Sequence, residues 1–487
     1  MHRVHLRARL GAALAAAALM MSSGATALAV ASPVVMPAVS DYSFVTASAT
    51  PPTEAACFAV GRRCFTPQGF WAAYNLGPLF AAGKDGRGMT VAIVDSYGSD
   101  TMAHDLHVFN TAFGLPPMCG EEGVTCTAGM PTFKTLSIQG SPATVQQPGK
   151  GTGQENKAAW SLEVALDVES VHTFAPRANI LLVTIPTAET LGVQGFPLMM
   201  NAEQYVVDHH LANVITQSFG SAEEAFGSSQ SLLNLRHAYI SAAANGVTVL
   251  ASSGDGGSAN IIKTPVAKGG TTVPFPTVGW PASDPLVTAV GGTYLCTDPN
   301  NTVARVVDSV DPPARCQANP GIAEVGWIAA GGGFSHVFSK PAYQNTLPAG
   351  STAIGSMRGV PDIASEASSR TGPLVYDTNA GLDGASNAGS GGWFIIGGTS
   401  VSSPQWAGMV AIADQIHGGG LGLINPTLYK IGSNPAEYAD DFFDVTTGNN
   451  QANPSIPGYP ATTGWDPVTG LGTPNAANLL PDLAAGG

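Results

Sequence analysis

An alternation of short apolar runs with helix-period stretches is the feature that most limits what this chain can become. Residues 89–95, 180–184, 214–218 and 247–251 are apolar or β-branched almost throughout and too short for stable helices. Between them, residues 158–172, 199–210 and 232–245 carry apolar positions at helical spacing. Runs without polar alternation fit strands buried on both faces. Strands separated by helices join as parallel neighbours, so the expected class is α/β, a parallel sheet flanked by helices. Several runs close on Ser, Gly or Asp, and sites in open sheets form at that carboxyl edge. No internal repeat is evident.

Residues 1–31 read as an export signal. Arg3, Arg7 and Arg9 precede the apolar run 10–21, and small residues at 27–31 suit a signal peptidase. Twelve apolar residues are too few to span a bilayer. Residues 32–56, rich in Ala, Ser, Thr and Pro without a period, are expected as a flexible leader, with residues 57–487 as one folded domain. The formal net charge of −14 argues against nucleic acid or anionic membrane as partners. Charged residues make up only 11% of the chain, so little folding energy rests on ion pairs, which permits life in acid. The expected protein is secreted and extracellular, with no membrane attachment after signal removal.

Six cysteines occur as near neighbours: Cys57 with Cys64, Cys119 with Cys126, and Cys296 with Cys316. In an exported chain an even count reads as disulfides, and sequential pairing closes the shortest loops among the 15 possible connectivities. No Cys-x-x-Cys or Cys/His spacing points to a metal cluster.

Three segments carry candidate chemistry. Gly397-Gly398-Thr399-Ser400 leads into the helix-compatible stretch 403–416, with Pro404 acceptable in a first turn. A hydroxyl at a helix start meets outward N–H groups that stabilise negative charge, which suits an acyl-transfer nucleophile. An ordinary N-cap serine gives the same pattern. Asp255 leaves the run 247–251 into a Gly-rich turn. It reads either as a turn aspartate bonding backbone N–H groups or as a protonated acid able to donate to an oxyanion. Glu163 and Asp167 are four apart on one helix face. They form either a solvated acidic face or, if buried, a pair that shares one proton and can take another from a serine.

Taken together these segments resemble the sedolisin family, the serine-carboxyl peptidases, and the resemblance runs in order through residues 57–487. Family-like stretches lie at 66–68 with 74–76, 91–98, 217–220, 288–293, 331–335, 360–362 and 397–404. The resemblance implies a subtilisin-like fold and an endopeptidase with Ser400 as nucleophile and Glu163 as general base. Asp167 would share the proton with Glu163, and Asp255 would donate to the oxyanion beside the Ser400 N–H. Asp95 matches an acidic position that extends the Glu/Asp network in some members. Phe219 stands where some have Trp, which puts that outer network in doubt. Residues 218–220 would pair with substrate backbone.

The resemblance also implies one structural Ca2+ in a C-terminal calcium-binding loop, held by side chains of Asp444 and Asp466 and carbonyls of Val445, Thr462 and Gly464. Carboxylates with carbonyls are suitable calcium ligands, although a plain Asp/Gly turn pair is the alternative. Thr462 replaces a frequent family Gly, which matters little for a carbonyl. The implied partners are polypeptide substrates, acted on by a monomer below about pH 5. The loops at 223–226 and 257–268 are expected to set side-chain preference. Members usually carry a long folded propeptide, whereas the 25 residues at 32–56 separate the expected signal from Cys57. Two rivals remain: a Ser/His/Asp protease of subtilisin type, for which the His-Gly-Thr-His-like segment is missing, and an inactive binding protein on the same scaffold.

Overall fold

The computed structural model describes residues 36–37, 41–138, 154–185, 195–262, 271–300, 305–307, 314–379 and 391–486. The expected signal (1–31), parts of the expected leader (32–35 and 38–40) and part of the loop at 257–268 (263–268) lie outside the described residues.

Fourteen strands and five helices suffice to place the site. In chain order the strands are β1 (Met36–Pro37), β2 (Asp41–Thr46), β3 (Thr90–Ser96), β4 (Phe133–Ser137), β5 (Asn179–Ile185), β6 (Val214–Gln217) and β7 (Phe219–Ala222). They continue with β8 (Thr248–Ser252), β9 (Gly279–Trp280), β10 (Thr288–Leu295), β11 (Glu324–Gly326), β12 (Ile363–Glu366), β13 (Leu374–Asp377) and β14 (Gly392–Gly397). The helices are α1 (Met102–Phe113), α2 (Gln154–Phe174), α3 (Gly195–Asp208), α4 (His237–Ala244) and α5 (Thr399–His417).

The main sheet has the order β11-β10-β8-β6-β3-β5-β4, with β12 also on β10. Every pairing in it is parallel except β11 on β10. Residues of β6, β8 and β10 are buried throughout, as expected for strands with both faces covered. The chain enters the sheet at β3, builds β4 and β5 to one side, and then returns to β6, β8 and β10 on the other. The carboxyl ends of β3, β6 and β8 consequently lie side by side where that direction changes, the position at which open sheets form sites. Helices α2 and α5 pack against each other and α5 runs along β6, β8 and β10. Gly408 makes the helix contact close, because a Cβ there would stand 2.8 Å from Phe174 Cβ.

Three sequence expectations change. The flexible leader does not extend over the described part of 32–56. Residues 41–46 form β2, antiparallel to β14 with Asp41 opposite Gly397, and Glu54–Ala59 is a helix capped by Thr53. Asp41 is clamped by Arg62 at 2.7 Å and by the Ser369 hydroxyl at 2.6 Å, while Phe44 packs edge-on against Phe394. The helix expected over 232–245 is two, Ser229–Leu233 and α4. Arg236 between them turns to grip Asp284 with two nitrogens, at 2.5 and 2.8 Å. Finally, α5 begins at Thr399, so Pro404 sits inside it. The three disulfides pair sequentially as expected.

One fully buried ion pair ties the C-terminal part to the sheet. Arg358 meets Asp362 at 2.8 and 3.2 Å, and that carboxylate also accepts the Ala289 N–H at 2.8 Å and the Tyr429 hydroxyl at 2.9 Å. Removing one partner of such a pair strands the other charge away from water. Arg358→Ala is expected to destabilise the protein by about 3–5 kcal/mol at pH 6, measured by chemical denaturation; a loss under about 1 kcal/mol would mean the pair is replaceable by water.

Candidate active site

Ser400 is the second residue of α5, after an N-cap Gly398 with φ of +141°. That φ suits glycine, and it lets the backbone turn sharply from β14 into the helix. Gly397 is equally constrained, since a Cβ would lie 2.0 Å from the Ser369 nitrogen. The first N–H groups of a helix have no intrahelical acceptor, and the Ser400 N–H is one of them. Pro404 removes the donor that would bond the Ser400 carbonyl one turn later. Beside this helix start, Asp255 follows β8 and its Oδ1 accepts the Thr399 N–H at 2.7 Å and the Thr399 hydroxyl at 3.0 Å. The Gly254 N–H in turn donates to Thr399 Oγ1 at 3.0 Å. Thr399 thereby locks the turn after β8 to the turn before α5.

The acidic side of the cluster comes from α2 and β3. Glu163, Asp167 and Asp95 are completely buried. Burial lifts Glu163 well above the usual carboxylate range; the nearby Ser400 hydroxyl pulls it back, and the charges of Asp95 and Asp255 push it further up. Asp167 is raised by burial and then by Asp95 and Glu163, against a hydrogen bond of 3.0 Å from the Ser218 hydroxyl. Burial alone pushes Asp95 to about 8. Ser400 Oγ acts on Glu163 electrostatically, yet among the described residues neither makes a fully formed hydrogen bond. Such loose geometry is common between nucleophile and base before substrate arrives. The structure therefore brings together the buried Glu163, Asp167, Ser400 and Asp95 with the partly buried Asp255 in one group, with Phe219 buried next to Ser218.

The C-terminal residues form a second constellation. Asp444 accepts the Gly464 N–H through both oxygens, at 3.2 and 3.0 Å. Asp466 holds the Thr462 N–H at 2.9 Å with one oxygen and the Val468 and Thr469 N–H groups with the other. Burial pushes Asp466 up to about 7, with the charge of Asp444 adding to it. Among the described residues, the carbonyls of Val445, Thr462 and Gly464 accept no backbone hydrogen bond. Two neighbouring carboxylates with three uncommitted carbonyls are a donor set that fits a hard cation.

Two histidines close together in the sequence, His104 and His107, lie elsewhere. His104 and His107 are half-exposed on α1, paired with Glu122 at 2.5 Å and Glu121 at 3.4 Å. Sequence reasoning missed a further set of buried acids. Glu169 on α2, Asp377 at the end of β13 and Asp105 on α1 are all buried. Burial raises each, Asp105 to about 6. The one available signal was Glu169, two residues beyond Asp167 in the same helix.

No family model matches the chain. Kumamolisin of Bacillus sp. (strain MN-32) is 31% identical over 435 residues, covering 88% of this chain and 65% of that protein. Sedolisin of Pseudomonas sp. (strain 101) is 29% identical over 401 residues, covering 82% and 58%. The solved structure of Pseudomonas sedolisin, a serine-carboxyl proteinase complexed with two molecules of pseudo-iodotyrostatin, matches with a TM-score of 0.63 at 26% identity. That match covers 87% of this chain and 99% of the other. The chain belongs to the sedolisin family. Its fold is the family's subtilisin-like one, in agreement with the sequence expectation. The chain spans less than two-thirds of the length of these curated sedolisin-family relatives.

The buried carboxyls give stability a definite pH dependence. Asp105, Asp95 and Asp414 are held at about 6, 8 and 8 in the folded state, above about 3.9 in an unfolded chain. The folded form thus binds protons more tightly, so stability is full below about pH 4 and declines as pH rises through 6 to 8. His172, pushed down to about 4 by burial, opposes this between about 4 and 6.5, but it is one group against many carboxyls. Thermal denaturation should show Tm highest near pH 4 and falling towards pH 8; a Tm that climbs over that range would contradict the assignment.

Proposed function

We propose that this sedolisin-family chain is a secreted, acid-acting serine-carboxyl endopeptidase that cleaves polypeptides through an acyl-enzyme on Ser400. The observation that carries this reading is the convergence of Ser400, at a helix start, with the desolvated carboxyls of Glu163 and Asp167 and with Asp255, which is bonded to the same helix start. Ser400 Oγ attacks the scissile carbonyl carbon while its proton passes to Glu163, and Asp167 shares the acidic proton so that no second buried charge develops. The oxyanion receives the Ser400 N–H and a hydrogen bond from protonated Asp255, whose proton resides on Oδ2 because Oδ1 serves Thr399. Collapse expels the amine, which takes the proton from Glu163. Water then attacks the acyl-enzyme with the same groups in reverse.

The acid requirement follows from the same residues. Asp255 donates only while protonated, and the Glu163/Asp167 pair works only while it holds a shared proton. Export rests on the signal-like sequence at 1–31, and a monomer is the simplest state for the soluble peptidase. Asp444, Asp466 and the carbonyls of Val445, Thr462 and Gly464 would hold one Ca2+, whose charge neutralises the two carboxylates and fastens their loops.

The pH–rate profile on a mixed peptide library is expected to peak below about pH 5, with Ser400→Ala lowering turnover about 10^4-fold or more. Full activity at pH 8 with none at pH 4 would overturn the carboxyl mechanism, and unchanged cleavage by Ser400→Ala would return the chain to a binding role. Chelation of calcium is expected to lower Tm by several degrees, on the order of 1–3 kcal/mol of lost binding linkage. Asp466→Asn should abolish that shift; a Tm indifferent to chelator and calcium in the unsubstituted protein would remove the ion from the account.

A further inference from the structure

The turn 367–372, between β12 and β13, is the surface against which the start of α5 rests, and the N-terminal strand β2 ends beside it. We propose that Asp41, acting with Arg62, is a positioning residue for Ser400, clamping this turn from outside so that the N-terminal strand is a working part of the catalytic domain. The inference rests on the peptidase reading above and adds to it a residue that acts through the backbone around the nucleophile.

The turn meets the nucleophile segment at three points. The Ala367 carbonyl accepts the Gly398 N–H at 2.7 Å. A Cβ on Gly397 would stand 2.0 Å from the Ser369 nitrogen, and one on Gly372 would stand 2.0 Å from the Ile396 carbonyl oxygen. With backbones this close, any shift of Ser369 passes to Gly397 and Gly398, because a packed interior has no slack to absorb it. Ser400 follows two residues later and moves with them.

The inner side of the turn is held by the core. Glu366 Oε1 accepts the Ser368 N–H at 2.6 Å and the Thr371 hydroxyl at 3.1 Å, and the Tyr74 hydroxyl accepts the Glu366 N–H at 2.8 Å. The outer side depends on Asp41. The buried Ser369 hydroxyl donates to Asp41 Oδ2 at 2.6 Å and accepts from Arg62, whose guanidinium spans both Asp41 oxygens at 2.7 and 3.1 Å. Arg62 Nε also donates to the Ser43 hydroxyl at 3.0 Å, and Arg62 lies inside the loop closed by the Cys57–Cys64 disulfide. Its neighbour Arg63 donates its N–H to the Arg370 carbonyl at 2.9 Å. Register with β14 fixes the strand, with Tyr42 opposite Ile396 and Asp41 opposite Gly397.

The clamp keeps its charge in acid. Burial pushes the Asp41 carboxyl up, but hydrogen bonds from Arg62 and Ser369 and the charges of Arg62 and Arg370 outweigh it and hold it below the usual aspartate range. The pair therefore stays largely ionised at pH 4, where Glu163 and Asp167 retain protons. Asp41 is half-exposed, so the pair adds little to global stability. Its effect is local to the turn.

Peptide hydrolysis at pH 4 and deuterium exchange of the full chain test this, with Asp41→Ala, Ser369→Ala and the double variant. Asp41→Ala is expected to lower kcat about tenfold or more with KM held within about twofold, since a misplaced nucleophile costs rate rather than binding. Its Tm should move by no more than about a few degrees. Ser369→Ala should behave alike, and the double variant should be no slower than the worse single one, because both act along one path. Exchange should rise over 393–401 in Asp41→Ala and stay unchanged elsewhere in the sheet. An unchanged kcat, a kcat loss matched by loss of folded protein, or losses that multiply in the double variant overturn the clamp and leave the peptidase reading standing. If the unsubstituted protein cleaves nothing between pH 3 and 6, the peptidase reading falls, and unchanged exchange over 393–401 would then remove the clamp as well.

Discussion

Glu163 and Asp167 lie out of water because α2 packs tightly along α5, and most of the site's behaviour depends on that burial. A carboxylate in such a position pays a desolvation penalty that no described cation offsets here; its neighbours are other acids, a serine and another serine's hydroxyl. The least expensive response is to keep protons. Had the same two residues faced solvent, spacing of four would have produced only a weak repulsion on a helix surface. The contact at Gly408 is part of this, since a larger residue would push α5 away from Phe174 and open the seam.

The start of α5 supplies the complementary half. Gly397 and Gly398 allow β14 to run close against Ser369 and then turn. Asp255, by holding Thr399, joins the turn after β8 to that helix start. Ser400, its N–H and Asp255 are therefore positioned by backbone geometry rather than by long flexible side chains, the kind of arrangement that keeps an electrostatic site ready before a ligand binds. The N-terminal strands use the same edges: β2 pairs with β14, whose last residue is Gly397, and β1 lies on β7 directly after Ser218.

Much of this was legible in the amino-acid sequence. The apolar runs became β3, β5, β6 and β8 within a residue or so of the expected bounds, because strands buried on both faces have no polar alternation to obscure them. The cysteines paired by proximity along the chain. The candidate residues Ser400, Asp255, Glu163 and Asp167 could be named because each type and spacing has a chemical use, and the family resemblance joined them. The leader misled because Ala, Ser, Thr and Pro dominate 32–56, although Tyr42 and Phe44 alternate within it and pack on Phe394. The helix over 232–245 failed for another reason: the ion pair of Arg236 with Asp284 is a contact between residues far apart in sequence.

By itself, then, the sequence determined the α/β class, the disulfide pairs and the chemical types available for catalysis, all of which follow from local pattern. Only the tertiary structure decided which acids lose water. Glu163, Asp167, Asp95 and Asp377 are buried, while Glu122 and Asp85 on nearby segments are not, and no periodicity distinguishes them. Burial is a property of what packs against a side chain, and for these carboxyls the packing partners come from β3, β13 and α5, tens to hundreds of residues away. That long-range packing is what turns a pattern of acids into a group able to work with shared protons.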